Sequence, residues 1–221
     1  MKNSILKNRF RGIIAIAVIW LMFGCESTYY KTMETIGYHK RDIMVDRVQD
    51  ARDAQEEAKE QFESALEKFS SVLSFHGGDL QEKYDQLKDE YEENAAKATA
   101  VRNRIAAVED VAEDLFAEWQ EELNDYASSS LRRSSARKLQ ETKSKYAQLI
   151  GAMKRAERKI DPVLSAFHDQ VLYLKHNLNA RAIASLQSEL ATVETDVASL
   201  IREMEASIKE ANSFINSMEK G

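Results

Sequence analysis

Apolar residues along most of the chain recur at alternating steps of three and four, the seven-residue period of packed helices. Four stretches keep this period, and they predict helices over residues 29–75, 79–126, 131–176 and 180–219. Polar residues interrupt each stripe at only a few positions. In the first stripe, counted from Met44 onwards, the polar position is Gln55. The pattern therefore predicts an all-α protein.

Short polar connections separate the four stretches. Gly77 and Gly78 end the first helix, because glycine readily adopts the left-handed conformation beyond a helix end. Three serines at 128–130 end the second helix, and the segment 177–179 ends the third. Connections this short make successive helices antiparallel. We expect an elongated antiparallel four-helix bundle with coiled-coil-like helices, in which residues 29–221 form a single domain.

Proline occurs once in the chain, at position 162 within the third stretch. The apolar stripe keeps its phase through Asp161 and Pro162, which favours one helix that is kinked at the proline. Asp161 could instead cap a new helix with Pro162 at its first position. Both interpretations stay open at this stage.

Charge is distributed unevenly between the second and third predicted helices. Residues 79–126 are rich in Asp and Glu, whereas residues 131–176 are rich in Lys and Arg. Opposite charges favour these two helices as neighbours, although each exposed ion pair contributes little.

The amino terminus has the features of a bacterial lipoprotein signal peptide. Residues 1–12 carry four basic side chains and no acid, and residues 13–23 are apolar. The single cysteine of the chain, Cys25, follows Gly24. This arrangement resembles a lipobox, from which Phe23 departs because a small residue is usual there. We expect residues 1–24 to be a signal peptide cleaved between Gly24 and Cys25, and residues 25–28 to be a tether that carries acyl chains such as palmitate on Cys25.

Two alternatives to lipidation are an uncleaved membrane anchor and ordinary signal cleavage that leaves a free thiol. The apolar run reaches ~17 Å as a helix, which is short of a ~30 Å hydrocarbon core, so the uncleaved anchor is disfavoured. Glu26 follows the cysteine, where lipoproteins of this kind that stay at the inner membrane carry aspartate. We therefore expect a lipid-anchored, periplasm-facing protein of the cell envelope, with the outer membrane favoured.

Composition and motifs argue against several functional classes. The chain has a formal net charge of −6, and loss of four basic residues with the signal peptide would make the mature protein more acidic, which disfavours nucleic acid as a partner. The four histidines lack the spacing of zinc or di-iron sites, and the phosphate-binding and nucleophile-elbow motifs are missing. We expect no metal, no cofactor and no enzymatic activity.

Several distinctive local strings span most of the mature chain, and they are Lys40-Arg41-Asp42, Asp46-Arg47-Val48, Ala51-Arg52-Asp53-Ala54-Gln55, Gly77-Gly78-Asp79, Glu118-Trp119 and Leu174-Lys175-His176-Asn177-Leu178-Asn179-Ala180. These strings resemble an uncharacterised family of Gram-negative bacterial helical lipoproteins, known as a domain of unknown function. The resemblance implies an all-helical, signal-bearing envelope protein. It implies no activity, substrate or catalytic residue.

The functional hypothesis is a helical scaffold or spacer that binds a protein partner in the envelope, as a monomer or a homodimer. In an antiparallel bundle, the first and third connections lie at the end away from Cys25. The candidate contact residues at that end are His76, Asp79, Lys175, His176 and Asn179. The alternative is that Gly77, Gly78 and Asn177 at these connections only satisfy turn geometry. The alternative function is a carrier or enzyme with a ligand pocket between helices.

Overall fold

The computed structural model describes residues 40–73, 80–177 and 179–219, and nearly all of them lie in four α-helices. The helices are α1 Lys40–Leu73, α2 Leu80–Glu122, α3 Ser129–His176 and α4 Ala180–Glu219. These described ranges contain no strand, and the predicted all-α class is confirmed. The chain divides into two compact units, Met1–Ile43 and Met44–Gly221. Only the first turn of α1 belongs to the described part of the first unit.

Ion pairs between neighbouring helices show that they run antiparallel. Between α1 and α2, Asp50 pairs with Arg104 at 3.2 Å, and Glu57 pairs with Lys97 at 2.7 Å. Later residues of α1 thus meet earlier residues of α2. The oppositely charged helices α2 and α3 are also antiparallel neighbours, as predicted, because Arg102 pairs with Asp161 and Glu109 pairs with Lys154.

The fourth helix closes the bundle between α3 and α1. Arg155 of α3 pairs with Glu203 of α4 at 3.3 Å. On the other side of α4, Arg52 donates to the Asn212 side chain at 3.1 Å, and Gln187 donates to the Leu73 carbonyl at 2.8 Å. Each helix of the unit Met44–Gly221 therefore packs beside its two neighbours. The structure confirms the antiparallel four-helix bundle.

The buried core consists of the apolar stripes. Nine consecutive stripe positions of α1 are buried, and their members are Met44, Val48, Ala51, Gln55, Ala58, Phe62, Ala65, Phe69 and Val72. Across the bundle, the Phe167 ring of α3 stacks on Phe62 with 6.5 Å between centroids and meets the edge of Phe69 at 6.4 Å. Diagonally opposite helices thus contact each other through aromatic rings.

The second helix ends before the position that its stripe predicts. A hydrogen-bonded turn follows Glu122, and Tyr126 is 41% exposed rather than buried. The prediction of helix to residue 126 is therefore wrong, because a residue beyond the last turn no longer lies on the helix face. Ser128 then caps α3, and its hydroxyl accepts a hydrogen bond from the Leu131 amide.

Pro162 lies inside α3, which runs without interruption from Ser129 to His176. The continuous stripe is the physical reason, since Ile160 and Val163 on either side of the proline are both buried in the same core. The alternative of a new helix that begins at Pro162 is not what the structure shows.

Among the described residues, no helix carries an apolar stretch long enough to cross a bilayer.

Two buried polar residues lie at the same level of the core. Gln55 of α1 and Ser207 of α4 are both 0% exposed, and neither the Gln55 amide nor the Ser207 hydroxyl has a hydrogen-bond partner. The Arg52–Asn212 and Leu73–Gln187 hydrogen bonds fix the antiparallel register of α1 and α4. In that register Gln55 and Ser207 lie at the same height, about one turn from the Arg52–Asn212 contact. Unpartnered buried polar groups oppose folding, so this level lowers the stability of the bundle.

We expect Gln55→Leu to raise the free energy of unfolding by ~1–3 kcal/mol, because it replaces an unpartnered buried amide with an apolar side chain of similar size. Urea denaturation followed by circular dichroism measures the change. The matched control is Gln61→Leu in the same helix, which removes a hydrogen bond to Glu90 and should not stabilise. A lower free energy of unfolding in Gln55→Leu would contradict the conclusion that the unpartnered Gln55 amide destabilises the bundle.

Candidate interaction surface at the α3–α4 connection

The predicted partner-contact residues fall into two groups. Lys175, His176 and Asn179 are described by the structure, and all three are exposed around the α3–α4 connection. His76 and Asp79 lie outside the described residues. The structure therefore brings three of the five predicted residues together on one surface.

Local hydrogen bonds fix the backbone of this connection. The Asn177 amide donates to the Leu174 carbonyl at 3.1 Å, and the Asn177 side chain donates to the Tyr173 carbonyl at 3.0 Å. The Asn179 amide donates to the Asn177 carbonyl at 2.8 Å. These bonds satisfy carbonyls at the end of α3. Asn177 and Asn179 thus have a structural role in the turn, whereas Lys175 and His176 are exposed basic residues of the last turn of α3, where the helix end favours positive charge.

Large hydrophobic side chains are exposed at the two ends of the bundle. In the part of the chain that the structure describes, Tyr126 and Leu131 are exposed at the α2–α3 connection, and Leu172 and Tyr173 are exposed in the last turns of α3. Leu172 is 45% exposed and Tyr173 is 39% exposed. Tyr173 and Leu172 therefore add apolar area to the surface that carries Lys175 and His176.

A groove of about 500 Å³ runs between α3 and α4 beside this surface. Three of its lining residues are buried and form the floor, namely Gln170 (7% exposed), Leu186 (4%) and Val193 (2%). Its volume lies within the ~300–1,000 Å³ of typical ligand sites. The groove was not predicted, since each helix pattern defines one face and a groove depends on the space between two helices.

The exposed rim of the groove carries negative charge. Among the lining side chains that the structure describes, Asp169 and Glu189 are the charged ones, and Tyr173 adds an aromatic ring beside them. His168, next to Asp169, lies 3.8 Å from its carboxylate and packs against Tyr91 at 5.3 Å between ring centroids. The rim is therefore suited to a cationic group rather than to an anion.

Gln170 has an unsatisfied acceptor. Its side-chain oxygen is buried and has no hydrogen-bond partner, although the residue lines the groove. The Asn94 side-chain oxygen, the Gln55 amide and the Ser207 hydroxyl are also buried without a partner, whereas the Thr142 hydroxyl donates to the Lys138 carbonyl at 2.9 Å. Among these residues, Gln170 is the one that lines this groove. The sequence marked all of them as polar interruptions without distinguishing Gln170.

A buried carboxylate that the sequence did not reveal lies between α1 and α2. Glu90 of α2 is 7% exposed, and it forms an ion pair with Lys68 and accepts a hydrogen bond from Gln61 at 3.0 Å. Both partners belong to α1, so Glu90 links α1 to α2. Glu90 precedes the stripe residue Tyr91, and this neighbouring position is the only signal that could have identified it.

Among the described residues, the one with the largest pKa shift lies away from the groove and from the α3–α4 connection. Burial between α2 and α3, together with the negative charges of Glu109, Asp110 and Glu113, raises the pKa of the Tyr146 phenol to about 12. These carboxylates belong to the acidic face of α2. The shift therefore reports the structural contact between the two helices, and the described residues contain no cluster of ligands that could hold a metal ion.

The fold places the protein among the all-α, antiparallel four-helix bundles. Residues 29–218 match the family DUF2959, described as a protein of unknown function, and the chain belongs to that family. The predicted resemblance to an uncharacterised family is thereby confirmed at the level of the family. No curated protein matches the chain.

Proposed function

We propose that the protein is a lipid-anchored spacer of the bacterial cell envelope that binds a protein partner at the α3–α4 end of its bundle. Acyl chains on Cys25 attach it to the membrane, and the outer membrane is favoured by Glu26. The bundle faces the periplasm and has no enzymatic role. Cys25 and the signal peptide lie outside the described residues, and the family match begins shortly after them, at residue 29.

The observation that carries this proposal is the exposure of large hydrophobic side chains at the bundle ends. Ion pairs such as Glu57–Lys97, Glu109–Lys154 and Arg155–Glu203 cross the long sides of the bundle. Apolar side chains are exposed instead at the connections, where they do not contribute to the core. Exposed apolar and polar groups that the fold does not require are typical of contact surfaces.

The direction of α1 supports the choice of the α3–α4 end of the bundle as the partner-binding end. Leu73, the last residue of α1, accepts a hydrogen bond from Gln187 in the early turns of α4, so α1 ends beside the α3–α4 connection. From residue 44 to residue 73 the helix rises ~45 Å, at ~1.5 Å per residue. The chain therefore enters the bundle of the unit Met44–Gly221 at the end away from Lys175 and His176.

We expect the double variant Lys175→Glu, His176→Ala to lose a partner that co-purifies with the full-length protein from envelope membranes. Recovery should fall by about tenfold or more, because charge reversal at the centre of an interface costs ~1.4 kcal/mol or more. The melting midpoint should not change, since both side chains are exposed. Affinity purification with quantitative mass spectrometry measures the recovery.

The matched control is Arg133→Glu, which reverses an exposed charge in the first turns of α3 at the opposite end. This control should leave partner recovery unchanged. If the control abolishes recovery and the double variant does not, the partner contacts the α2–α3 end and the proposed surface is wrong.

A further inference from the structure

We infer that the groove between α3 and α4 receives an arginine or lysine side chain of the partner protein. This inference rests on the proposed function and identifies the chemistry of the contact. The juxtaposition that carries it is a buried, unpartnered acceptor on Gln170 beneath a rim that bears Asp169 and Glu189.

The floor of the groove includes a residue with an unsatisfied hydrogen-bond acceptor. The Gln170 side-chain oxygen is buried without a partner, and a rotation of this side chain into the groove would present the oxygen to a bound donor. A guanidinium or ammonium group provides donors and no acceptor, which matches a site whose unsatisfied atom is an acceptor. A carboxylate or phosphate would leave the same oxygen without a partner.

The rim and walls select a cation on an aliphatic stem. Asp169 and Glu189 are both exposed, and they are the charged residues among the lining side chains that the structure describes, so their field attracts positive charge. Leu186 and Val193 provide apolar contact for methylene groups, and the Tyr173 ring can lie against a guanidinium plane. Arginine combines these features in one side chain.

The surroundings of the groove favour a protein as the source of the cationic group. Tyr173 belongs both to the groove and to the exposed surface at the end of α3, where Leu172 and His176 are also exposed. The groove is therefore continuous with the proposed partner surface. A partner segment that covers Leu172 would reach the groove with a neighbouring side chain.

The test uses n-butylguanidinium as a probe for the arginine side chain. Two-dimensional NMR of the isotope-labelled protein should show saturable shifts at the Gln170 side-chain amide and at the backbone amides of Tyr173 and Glu189. Gln170→Leu and Glu189→Gln should each weaken probe binding by about tenfold, because the first removes an acceptor and the second removes a negative charge that attracts the cation. Glu194→Gln, an exposed residue of α4 outside the groove, is the matched control and should not change binding.

Three results would overturn the inference. They are the absence of saturable shifts at the groove, equal weakening by Glu194→Gln, and wild-type affinity in Gln170→Leu.

Partner recovery with Glu189→Gln then tests the source of the cation. A loss supports a partner side chain, and full recovery in a variant that no longer binds the probe contradicts it. Failure of the proposed function is distinguishable, because no partner would then co-purify even with the wild-type protein.

Discussion

Phe167→Ala is expected to lower the free energy of unfolding by ~3–5 kcal/mol, the usual cost of removing a large buried aromatic ring. Phe167 is 5% exposed, and its ring contacts Phe62 and Phe69 on the diagonally opposite helix. Its removal leaves a cavity between the long helices α1 and α3, which cannot easily move together to close it. Urea denaturation followed by circular dichroism measures the change.

The control for this prediction is Phe116→Ala. Phe116 is only half-buried, and its ring contacts Tyr146 within the α2–α3 pair at 5.4 Å between centroids. We expect a clearly smaller loss, because the site is open to solvent and the surrounding side chains can relax. Equal losses at the two positions, or no loss at Phe167, would contradict the position of Phe167 in the core.

Cys25→Ser is expected to remove the mature protein from the membrane fraction. Acyl chains bind a bilayer with ~0.8 kcal/mol for each buried methylene group, and two chains give stable anchoring. The remaining protein is acidic and gains little from anionic lipid. The variant should accumulate as a soluble protein or as a precursor that keeps its signal peptide. Membrane fractionation with immunoblotting distinguishes the two forms from the anchored wild type.

Ser27→Ala is the matched control, because it changes a hydroxyl near the cysteine and leaves the proposed acylation site, Cys25, intact. It should stay in the membrane fraction. A mature-sized Cys25→Ser protein that also stays in the membrane fraction would contradict anchoring through the cysteine.

The helices were predictable because each has one continuous buried face. The stripes of α1, α3 and α4 match the buried residues closely, since a seven-residue period directly encodes which side of a helix meets its neighbours. The end of α2 was not predictable from periodicity. Tyr126 fits the spacing of the stripe, but the helix has already ended at Glu122 and the side chain is exposed.

The candidate surface was predictable only in part. Lys175, His176 and Asn179 were found from their place in a connection, and the structure shows them exposed. The groove beside them depends on how far α3 and α4 separate near Gln170, which no single stripe encodes. Glu90 was missed for a similar reason, because its partners Lys68 and Gln61 belong to another helix.

Mass spectrometry of the mature amino terminus tests the proposed membrane anchoring most directly. The protein purified from envelope membranes in detergent should begin at Cys25 and carry a thioether-linked diacylglycerol on its sulfur, with a mass that accounts for residues 25–221 plus the lipid. A mature chain that begins at another residue, or that begins at Cys25 with a free thiol, would contradict the lipid-anchored spacer.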